Sequence, residues 1–285
     1  MKTGVYLALA ALALAGCTPV SGRADGGDGT DGTGPARILS LNPCADAVLA
    51  QVAGPDQILA LSHYSHDPRA TSMDIATARR FAVTGGTVEE ILALSPDVVV
   101  AGTFLPPTTA QALSRLGIRV ERLPIARNVP ESMAQLRHLA ELAGQAERGK
   151  ALIGQIEAAL AAAAPPAGHR PVAAVIWQSG GIVPGRDELV SDLLARTGFA
   201  SHSAARGLGQ AAYLPLEAML TDPPQVILTA GTPGDGEDRM LAHPALDALA
   251  GVRKERFAPD LLYCGGPTII RAAQRLAQVR RTLAS

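Results

Sequence analysis

Two segments of the chain repeat the same pattern of apolar and polar positions. The first is VEEILALSPDVVVAG, residues 88–102, and the second is LEAMLTDPPQVILTAG, residues 216–231. When the two are superimposed, Glu89 falls on Glu217 and Pro96 falls on Pro224. In each copy, apolar residues at helical spacing precede a proline, and a run of β-branched or apolar residues follows it. Each copy therefore predicts a short helix, a turn and a buried strand.

A second similarity follows each copy. Residues 117–122 have the sequence GIRVER and residues 251–256 have GVRKER, so the order helix, strand, helix, strand occurs twice. The two copies lie 128 positions apart in the chain. Solenoid repeats are only about 20 to 50 residues long, much shorter than this separation. Chance similarity between two α/β segments is the alternative. The pattern favours an α/β protein with two similar lobes and a ligand cleft between them.

Shorter patterns complete the predicted lobes. They indicate strands at 38–41, 57–62 and 172–177 and helices at 188–195 and 268–283, and Asp46 is expected to cap the first helix. Residues 131–164 have apolar positions at helical spacing and are followed by Pro165-Pro166. From Gln145 onward, about 20 helical residues would span roughly 30 Å, the size of a small domain. This region therefore predicts a stiff strut between the lobes, with little hinge motion.

The N-terminus has the features of a secretion signal. Lys2 is followed by an apolar run over residues 5–15, which is too short to span a bilayer as a helix. The run ends in Leu14-Ala15-Gly16-Cys17, which resembles the lipobox of bacterial lipoproteins, where the cysteine is lipidated. A plain secretory signal that contains a cysteine is the alternative. Residues 18–35, rich in glycine and aspartate, predict a flexible linker.

These patterns divide the chain into five parts. We assign residues 1–17 to the signal with its lipobox, 18–35 to the linker, and 36–130 to the N-terminal lobe. Residues 131–166 form the helical region that includes the inter-lobe backbone helix, and 167–285 form the C-terminal lobe.

Composition and motifs exclude several functions. Apolar residues make up 47 % of the chain, and the formal net charge is −1 without a basic patch, which argues against nucleic acid as a partner. No phosphate-binding loop or dinucleotide fingerprint is present. Ser179 follows a strand in WQSGG, which is not the nucleophile elbow of hydrolases. We therefore expect no catalytic residues, and a serine or thiol hydrolase is a remote alternative.

Five segments together resemble a known family. They are RILSLNP (37–43), LALSHYSHDP (59–68), GGTVEEILALSPDVVVAG (85–102), LGIRVERLP (116–124) and GPTIIRAAQRLA (266–277). Their order and spacing are similar to those of the substrate-binding proteins of ABC importers, in the class that delivers cobalamin, haem and ferric siderophores. The resemblance covers Arg37 to about Arg281. It implies two Rossmann-like lobes joined by one long helix, with the ligand in the cleft between them.

The resemblance also implies partners and a location. In that family, one surface glutamate on each lobe docks onto arginines of the membrane permease, and Glu89 and Glu217 occupy the matching positions. Ordinary exposed helix glutamates are the alternative. We expect a monomer that works with a permease and an ATPase complex. Through Cys17 it would be held by lipid at the outer face of the cytoplasmic membrane, in the periplasm.

Aromatic residues in the predicted loops are the candidate ligand contacts. By the resemblance, Tyr64 matches an aromatic residue that stacks on cobalamin, and Phe104, Trp177, Tyr213 and Tyr263 are further candidates. Core packing is the alternative for each. The transported ligand is expected to be cobalamin or another corrinoid, with ferric siderophore or haem next, and no intrinsic cofactor is expected. The loops show no arginine cluster, which argues against highly anionic siderophores.

Two cysteines and two histidines leave alternatives open. The resemblance places Cys44 and Cys264 in cleft-facing loops, where they could form a disulfide, bind ligand or metal, or remain free thiols. A disulfide would close a loop of about 220 residues, worth around 5 kcal/mol in the loop-entropy model. His63 and His66 are candidate ligand contacts in a polar loop. A metal-ion carrier that uses these histidines and cysteines is therefore an alternative function, although no resident metal is expected.

Overall fold

The computed structural model describes Met1, residues 34–231 and residues 239–283. The predicted signal with Cys17 and most of the predicted linker lie outside the described residues. From residue 34 onward, the described chain forms two separate parallel β-sheets with helices around them. This arrangement confirms the predicted α/β fold with two lobes.

The N-terminal lobe is built on a five-stranded parallel sheet. Its strands are β1 (Ile38–Ser40), β2 (Ile58–Ser62), β3 (Val83–Thr84), β4 (Val98–Gly102) and β5 (Arg119–Leu123), in the order β3-β2-β1-β4-β5. Helices α1 (Pro43–Val52), α2 (Ile75–Ala78), α3 (Val88–Leu94) and α4 (Pro107–Arg115) connect them. The central strands are continuous apolar runs because both faces of a parallel sheet are buried.

Two helices follow the first lobe, α5 (Val129–Leu142) and α6 (Ala146–Ala163). They are separated at Gly144, whose φ of 65° is a left-handed conformation that glycine adopts at little cost. The predicted helical region is therefore divided in two, and the strut predicted from Gln145 onward corresponds to α6. The 18 residues of α6 span roughly 27 Å, and the helix packs against α5 and α1.

The C-terminal lobe has a four-stranded parallel sheet and a separate two-stranded ribbon. The sheet consists of β6 (Val172–Gln178), β8 (Phe199–Ser201), β10 (Val226–Ala230) and β11 (Arg253–Arg256), and the antiparallel ribbon consists of β7 (Ile182–Val183) and β9 (Ala212–Tyr213). The helices are α7 (Leu189–Arg196), α8 (His202–Ala205), α9 (Leu216–Thr221), α10 (Pro244–Asp247) and α11 (Thr268–Leu283). None of the helices in the described ranges is both long and apolar enough to cross a membrane.

The predicted repeat corresponds to equivalent parts of the two sheets. Strand β4 follows α3 as β10 follows α9, and each pairs in parallel with the next long strand, β5 or β11. In the same direction across each sheet, the orders β2-β1-β4-β5 and β8-β6-β10-β11 match position by position. The two lobes therefore share a topology as well as a sequence pattern.

One hydrophobic core extends through both lobes. A single cluster of buried residues includes Ile38 and Val100 from the first sheet and Ile176 and Leu228 from the second. Residues of α1, α5, α6, α7 and α11 also belong to this cluster. Because each fully buried aliphatic side chain contributes about 1.5–3 kcal/mol, separation of the lobes would expose a costly surface. We therefore expect little hinge motion from the core as well as from the stiffness of α6.

A buried arginine joins the C-terminal end of α6 to that of α7 in the second lobe. Arg280 on α11 donates hydrogen bonds to the carbonyl oxygens of Ala163 and Ala164 at the end of α6, at 2.8 and 3.0 Å. It also donates to the carbonyl oxygen of Thr197 at the end of α7. Helix C-termini carry unpaired carbonyl groups and partial negative charge. The guanidinium group therefore satisfies the oxygens of Ala163 and Thr197, which would otherwise be buried without partners, and the partly buried oxygen of Ala164.

Candidate functional site

The two lobes enclose a cavity of about 1450 Å³. Its first wall comes from segments that follow β1, β2, β4 and β5, and its second wall includes residues 186–190, 207–210 and 262–266. The carboxyl ends of parallel strands meet at one edge of a sheet, where ligands bind in open α/β folds. The cavity therefore lies at the edge where the sequence pattern predicts the ligand loops.

Six of the nine predicted ligand contacts line this cavity. They are Cys44, His63, Tyr64, Phe104, Tyr263 and Cys264. The three aromatic side chains are largely exposed, Tyr64 to 51 %, Phe104 to 84 % and Tyr263 to 65 %. Aromatic rings that remain exposed beside a cavity can bury a large area when a ligand enters, at low conformational cost. The lining is therefore suited to a large, partly flat and apolar ligand.

Trp177 lies elsewhere and does not reach the cavity. Its side chain is fully buried in the core of the second lobe, in one cluster with Val183 and Met219. Its Nε1–H donates to the carbonyl oxygen of Leu214 at 3.1 Å. The prediction that Trp177 contacts the ligand is wrong, because core packing and this hydrogen bond already occupy the whole indole ring.

Two further candidates also lie outside the cavity lining. The Nε2 atom of His66 lies 3.1 Å from the carbonyl oxygen of Ala78 and 3.2 Å from that of Phe81. His66 therefore fixes the 3-10 turn His63–His66 to the end of α2, whereas its neighbour in the turn, His63, lines the cavity. Tyr213 is 59 % exposed on β9 but is not part of the lining. The structure therefore places both of these predicted ligand contacts outside the cavity lining.

The two cysteines form a disulfide across the cleft. Cys44 lies at the start of α1 in the first lobe, and Cys264 lies 220 positions later in the loop before α11. Of the three interpretations of this pair, the structure confirms the disulfide. Neither sulfur is then a thiolate that can coordinate a metal. Among the described residues, no group of three or more His, Cys, Asp or Glu side chains is placed to hold a metal ion.

Three arginines line the cavity, contrary to the predicted absence of an arginine cluster. Arg69, Arg127 and Arg186 belong to three distant parts of the chain, so no local motif identifies them. The Nε atom of Arg69 lies 3.6 Å from an oxygen of Asp67, and Nη2 of Arg127 lies 2.8 Å from Oε1 of Glu131. In the described part of the chain, no carboxylate pairs with Arg186. Of the three, Arg186 is therefore the arginine whose guanidinium group no carboxylate of the described residues contacts.

A buried aspartate lies beneath the turn that contains His63 and Tyr64. Oδ2 of Asp46 accepts hydrogen bonds from the Ser62 N–H at 3.0 Å and from the Ser65 hydroxyl at 2.6 Å, whereas Oδ1 has no partner among the described residues. Burial raises the pKa of this carboxyl to about 7, although hydrogen bonds from neighbouring serines act in the opposite direction. This aspartate therefore holds the aromatic turn in place at an electrostatic cost.

The predicted capping role of Asp46 is wrong. The side chain of Asn42 caps α1 instead, because its Oδ1 accepts hydrogen bonds from the N–H groups of Cys44 at 2.9 Å and Ala45 at 3.4 Å. The helix begins at Pro43, which is suited to the first helical position. Asp46 lies one turn further along and points into the interior.

The two glutamates of the repeat occupy equivalent positions. Glu89 is the second residue of α3 and Glu217 is the second residue of α9, and both are exposed. The adjacent Glu90 accepts hydrogen bonds from the Thr84 hydroxyl at 2.6 Å and the Gly85 N–H at 2.8 Å, which ties it to the preceding loop. Within the described ranges, the carboxylates of Glu89 and Glu217 have no such partner.

Comparison with known proteins gives a family match. The sequence profile of a family described as periplasmic binding protein matches residues 38–259. No curated protein matches the chain. The profile covers most of both lobes, including β1 and β10 and the cavity segments between them.

Several solved structures share the fold. The periplasmic heme-binding protein RhuT from Roseiflexus sp. RS-1 is 20 % identical, with a TM-score of 0.67 over 88 % of this chain and 100 % of its own. The periplasmic vitamin B12 binding protein BtuF of Vibrio cholerae is 20 % identical, with a TM-score of 0.68 over 88 % and 99 %. Helicobacter pylori Ceue with bound Ni(II) is 18 % identical, with a TM-score of 0.67 over 88 % and 85 %.

Proposed function

This chain belongs to the periplasmic binding protein family, and from that premise we propose that it is the solute-binding component of an ABC importer. Members of the family and the similar proteins bind solutes and are not enzymes. We propose that the chain captures a metal-bearing organic complex between its lobes and delivers it to a membrane permease. The observation that carries this proposal is the cavity with exposed aromatic side chains on both walls.

The size and lining of the cavity support a macrocyclic ligand. Its volume of about 1450 Å³ exceeds the range of roughly 300–1,000 Å³ that is common for drug-sized ligands. Tyr64 and Phe104 on one wall and Tyr263 on the other can contact a flat macrocycle from both sides. RhuT and BtuF, which share the fold, are named for binding heme and vitamin B12. A haem or a corrinoid is therefore the proposed class of ligand.

Asp187 and Glu188 also line the cavity, but the exposed Arg186 favours haem over cobalamin, which reverses the order expected from the sequence. Haem carries two carboxylates, whereas cyanocobalamin has no net charge. A neutral ligand that covered Arg186 would leave a desolvated cation without a partner, which is costly. A carboxylate would instead form a short, charge-assisted hydrogen bond with it. We therefore propose haem first, cobalamin second and a ferric siderophore third.

Co-elution tests this function directly. The full chain is mixed in turn with haemin, cyanocobalamin and a ferric tris-catecholate complex, and each mixture is passed through a desalting column. We expect haemin to co-elute near one equivalent and to bind with a Kd of about 1 μM or lower, that is, about 8 kcal/mol. If none of the three complexes co-elutes, the proposed function is contradicted.

Two exposed tyrosines of the second lobe provide a matched pair of variants. Tyr263 lines the cavity and Tyr213 does not. Tyr263→Ala is expected to weaken haemin binding about tenfold, since the loss of one aromatic contact is worth about 1.4 kcal/mol. Tyr213→Ala should leave the affinity within about twofold. Equal effects of the two substitutions would place the ligand outside this cavity.

We propose that Glu89 and Glu217 dock onto cationic side chains of the permease. The support is their equivalent position in the two lobes, their exposure, and the absence of partners for their carboxylates within the described residues. Glutamate can pair with arginine through two parallel hydrogen bonds, which fixes orientation as well as affinity. Two such contacts, one on each lobe, would align the cleft with the permease.

Charge reversal separates docking from ligand binding. Glu89→Arg combined with Glu217→Arg should reduce uptake of the ligand by cells at least about tenfold while the Kd for the ligand in solution stays the same. Glu157→Arg, at an exposed position of α6, is the control and should leave uptake intact. If the control reduces uptake equally, or if the double variant loses ligand affinity, the docking proposal fails.

We propose that the chain is anchored by lipid on Cys17 and acts in the periplasm. The support is the apolar run that ends in Leu-Ala-Gly-Cys, followed by a glycine-rich linker. Cys17→Ala should move the protein from the membrane fraction to the soluble fraction after expression in its own type of cell. Retention of the variant in the membrane fraction would contradict the anchor.

A further inference from the structure

The Cys44–Cys264 disulfide joins the two walls of the ligand cavity. Cys44 is the second residue of α1 in the first lobe, and Cys264 belongs to the segment 262–267 of the second lobe. Both cysteines line the cavity. The bond therefore crosses the site at which we propose that the ligand binds.

The segment 262–267 packs closely against α1 and α5. Its Gly266 N–H donates to the hydroxyl of Ser132 at 2.8 Å. A Cβ atom on Gly265 would lie 2.0 Å from the Ser132 hydroxyl oxygen, and one on Gly266 would lie 2.6 Å from a methyl group of Val48. At these two glycines the segment approaches α5 and α1 through its backbone. Leu262, at the start of the segment, is buried in the core cluster that both lobes share, and the disulfide attaches the following residues covalently to α1.

The same bond fixes a proposed ligand contact. Tyr263 directly precedes Cys264, and its carbonyl oxygen lies 3.7 Å from the sulfur of Cys44. Its hydroxyl donates to Oε1 of Gln178 at 3.0 Å, and its ring is 65 % exposed toward the cavity. The hydrogen bond to Gln178 holds the ring within the second lobe, and the adjacent disulfide ties its backbone to α1 of the first lobe.

The disulfide is accessible from the cavity on one side only. Cys44 is partly exposed, whereas Cys264 is 4 % exposed. A thiolate that enters the cavity can therefore reach the sulfur of Cys44, and a bound ligand would cover it. Cys44 also lies at the N-terminus of a helix of 10 residues, where the partial positive charge stabilises a thiolate.

We propose that this disulfide controls ligand retention through its redox state, an inference that rests on the proposed function. While the bond is intact, the segment 262–267 holds Tyr263 against the ligand. When a dithiol reduces the bond, the segment separates from α1, and the ligand leaves faster. A ligand already in the cavity slows the reduction because it covers Cys44.

The reaction balances with a dithiol as the only co-reactant. One thiolate of the dithiol attacks the sulfur of Cys44, which forms a mixed disulfide and expels the thiolate of Cys264, and this thiolate takes up a proton. The second thiol of the dithiol then closes its own disulfide and expels Cys44, which departs readily at the helix N-terminus. Two electrons and two protons pass from the dithiol to the protein.

Hydrogen exchange of the ligand-free chain tests the structural half of the proposal. The full chain is compared in its oxidised form and after treatment with dithiothreitol. We expect exchange in residues 262–268, including the Gly266 amide, to accelerate at least about tenfold on reduction, while α6 changes little. A change below about twofold in this segment, or an equal acceleration in α6, would overturn the proposal, because the bond would then have only a general stabilising role.

Ligand exchange tests the functional half. The probe is gallium(III) protoporphyrin IX, whose metal the dithiol does not reduce, and its dissociation is followed by fluorescence in the presence of an excess of a haem-scavenging protein. Reduction is expected to raise the dissociation rate at least about tenfold. The variant Cys44→Ala/Cys264→Ala should dissociate at the fast rate with or without dithiothreitol, which excludes an effect of the reductant on the probe.

The outcomes separate this inference from the function on which it rests. If the oxidised chain binds the probe and reduction leaves the dissociation rate within about twofold, the redox inference is wrong and the binding function stands. If the oxidised chain binds none of the gallium porphyrin, haemin, cyanocobalamin and ferric catecholate, the proposed function fails and the inference falls with it. Faster exchange in the segment together with faster dissociation supports both.

Discussion

Replacement of the buried Asp46 by asparagine should change how stability depends on pH. Asparagine keeps an oxygen that can accept the hydrogen bonds from Ser62 and Ser65, but it does not ionise. In the native chain, burial raises the pKa of Asp46 from its ordinary value of 3.8 to about 7. Between these two values the folded state holds a proton that the unfolded state has lost.

The sign and size follow from proton linkage. Because the folded state binds more protons, the contribution of Asp46 to stability is complete below pH 3.8 and is lost as the pH rises toward 7. The difference of about 3 pKa units, at 1.36 kcal/mol each, corresponds to about 4 kcal/mol. Asp46→Asn removes this loss. We therefore expect the stability of the variant relative to the native chain to increase by about 4 kcal/mol between pH 4 and pH 8.

Urea denaturation at several pH values between 4 and 8 measures this difference. An unpaired amide hydrogen in the variant would shift its stability equally at every pH, so the comparison depends only on the change with pH. Asp187→Asn, at an exposed aspartate of the cavity, controls for the general loss of one carboxylate. If the curves of the native chain and Asp46→Asn run parallel within about 1 kcal/mol, Asp46 does not titrate near neutrality and the reasoning is refuted.

Three substitutions test how the helices pack. Gly154→Ala in α6 should raise the free energy of unfolding by about 0.5–1 kcal/mol, because its Cβ would meet nothing within 4 Å and alanine favours helix. Gly149→Ala in the same helix should lower it by about 1–3 kcal/mol, because its Cβ would lie 2.4 Å from that of Ala140. Arg280→Met should lower it by about 2–4 kcal/mol, because two buried carbonyl oxygens and one partly buried carbonyl oxygen lose their donor. Thermal and urea unfolding measure all three, and equal effects of the two glycine variants would contradict the packing argument.

The fold was predictable because local patterns determine it. The repeat around Glu89 and Glu217 predicted equivalent helix–strand units, and these form matching halves of two sheets. The last helix has the predicted bounds, Thr268–Leu283, because its apolar residues recur at helical spacing without interruption. The division between α5 and α6 was missed because one glycine in a helical pattern is tolerated in many helices, and only its positive φ ends the helix here.

The candidate site was predictable only in part. Loops at strand ends correctly located Tyr64, Phe104 and Tyr263 beside a cavity. The same reasoning misplaced Trp177, since a residue at the end of a strand faces either the cavity or the core, and β6 turns this ring inward.

The cavity arginines were missed for a different reason. The three arginines are far apart in the sequence and come together only in the folded chain, so no regular spacing identifies them. The disulfide was one of several open alternatives, because only three-dimensional distance distinguishes a cysteine pair from two free thiols.

Because the strand orders of the two lobes match, the molecule resembles a dimer whose two subunits are joined in one chain. On its outside, α3 and α9 present the same acidic position in the same setting, so a partner built from two identical halves would encounter the same chemistry in either of two orientations. On its inside the likeness ends, because one wall supplies Tyr64 and Phe104 and the other supplies Tyr263 and Arg186. A ligand would therefore bind in one orientation only, in whichever of the two orientations this protein docks onto such a partner.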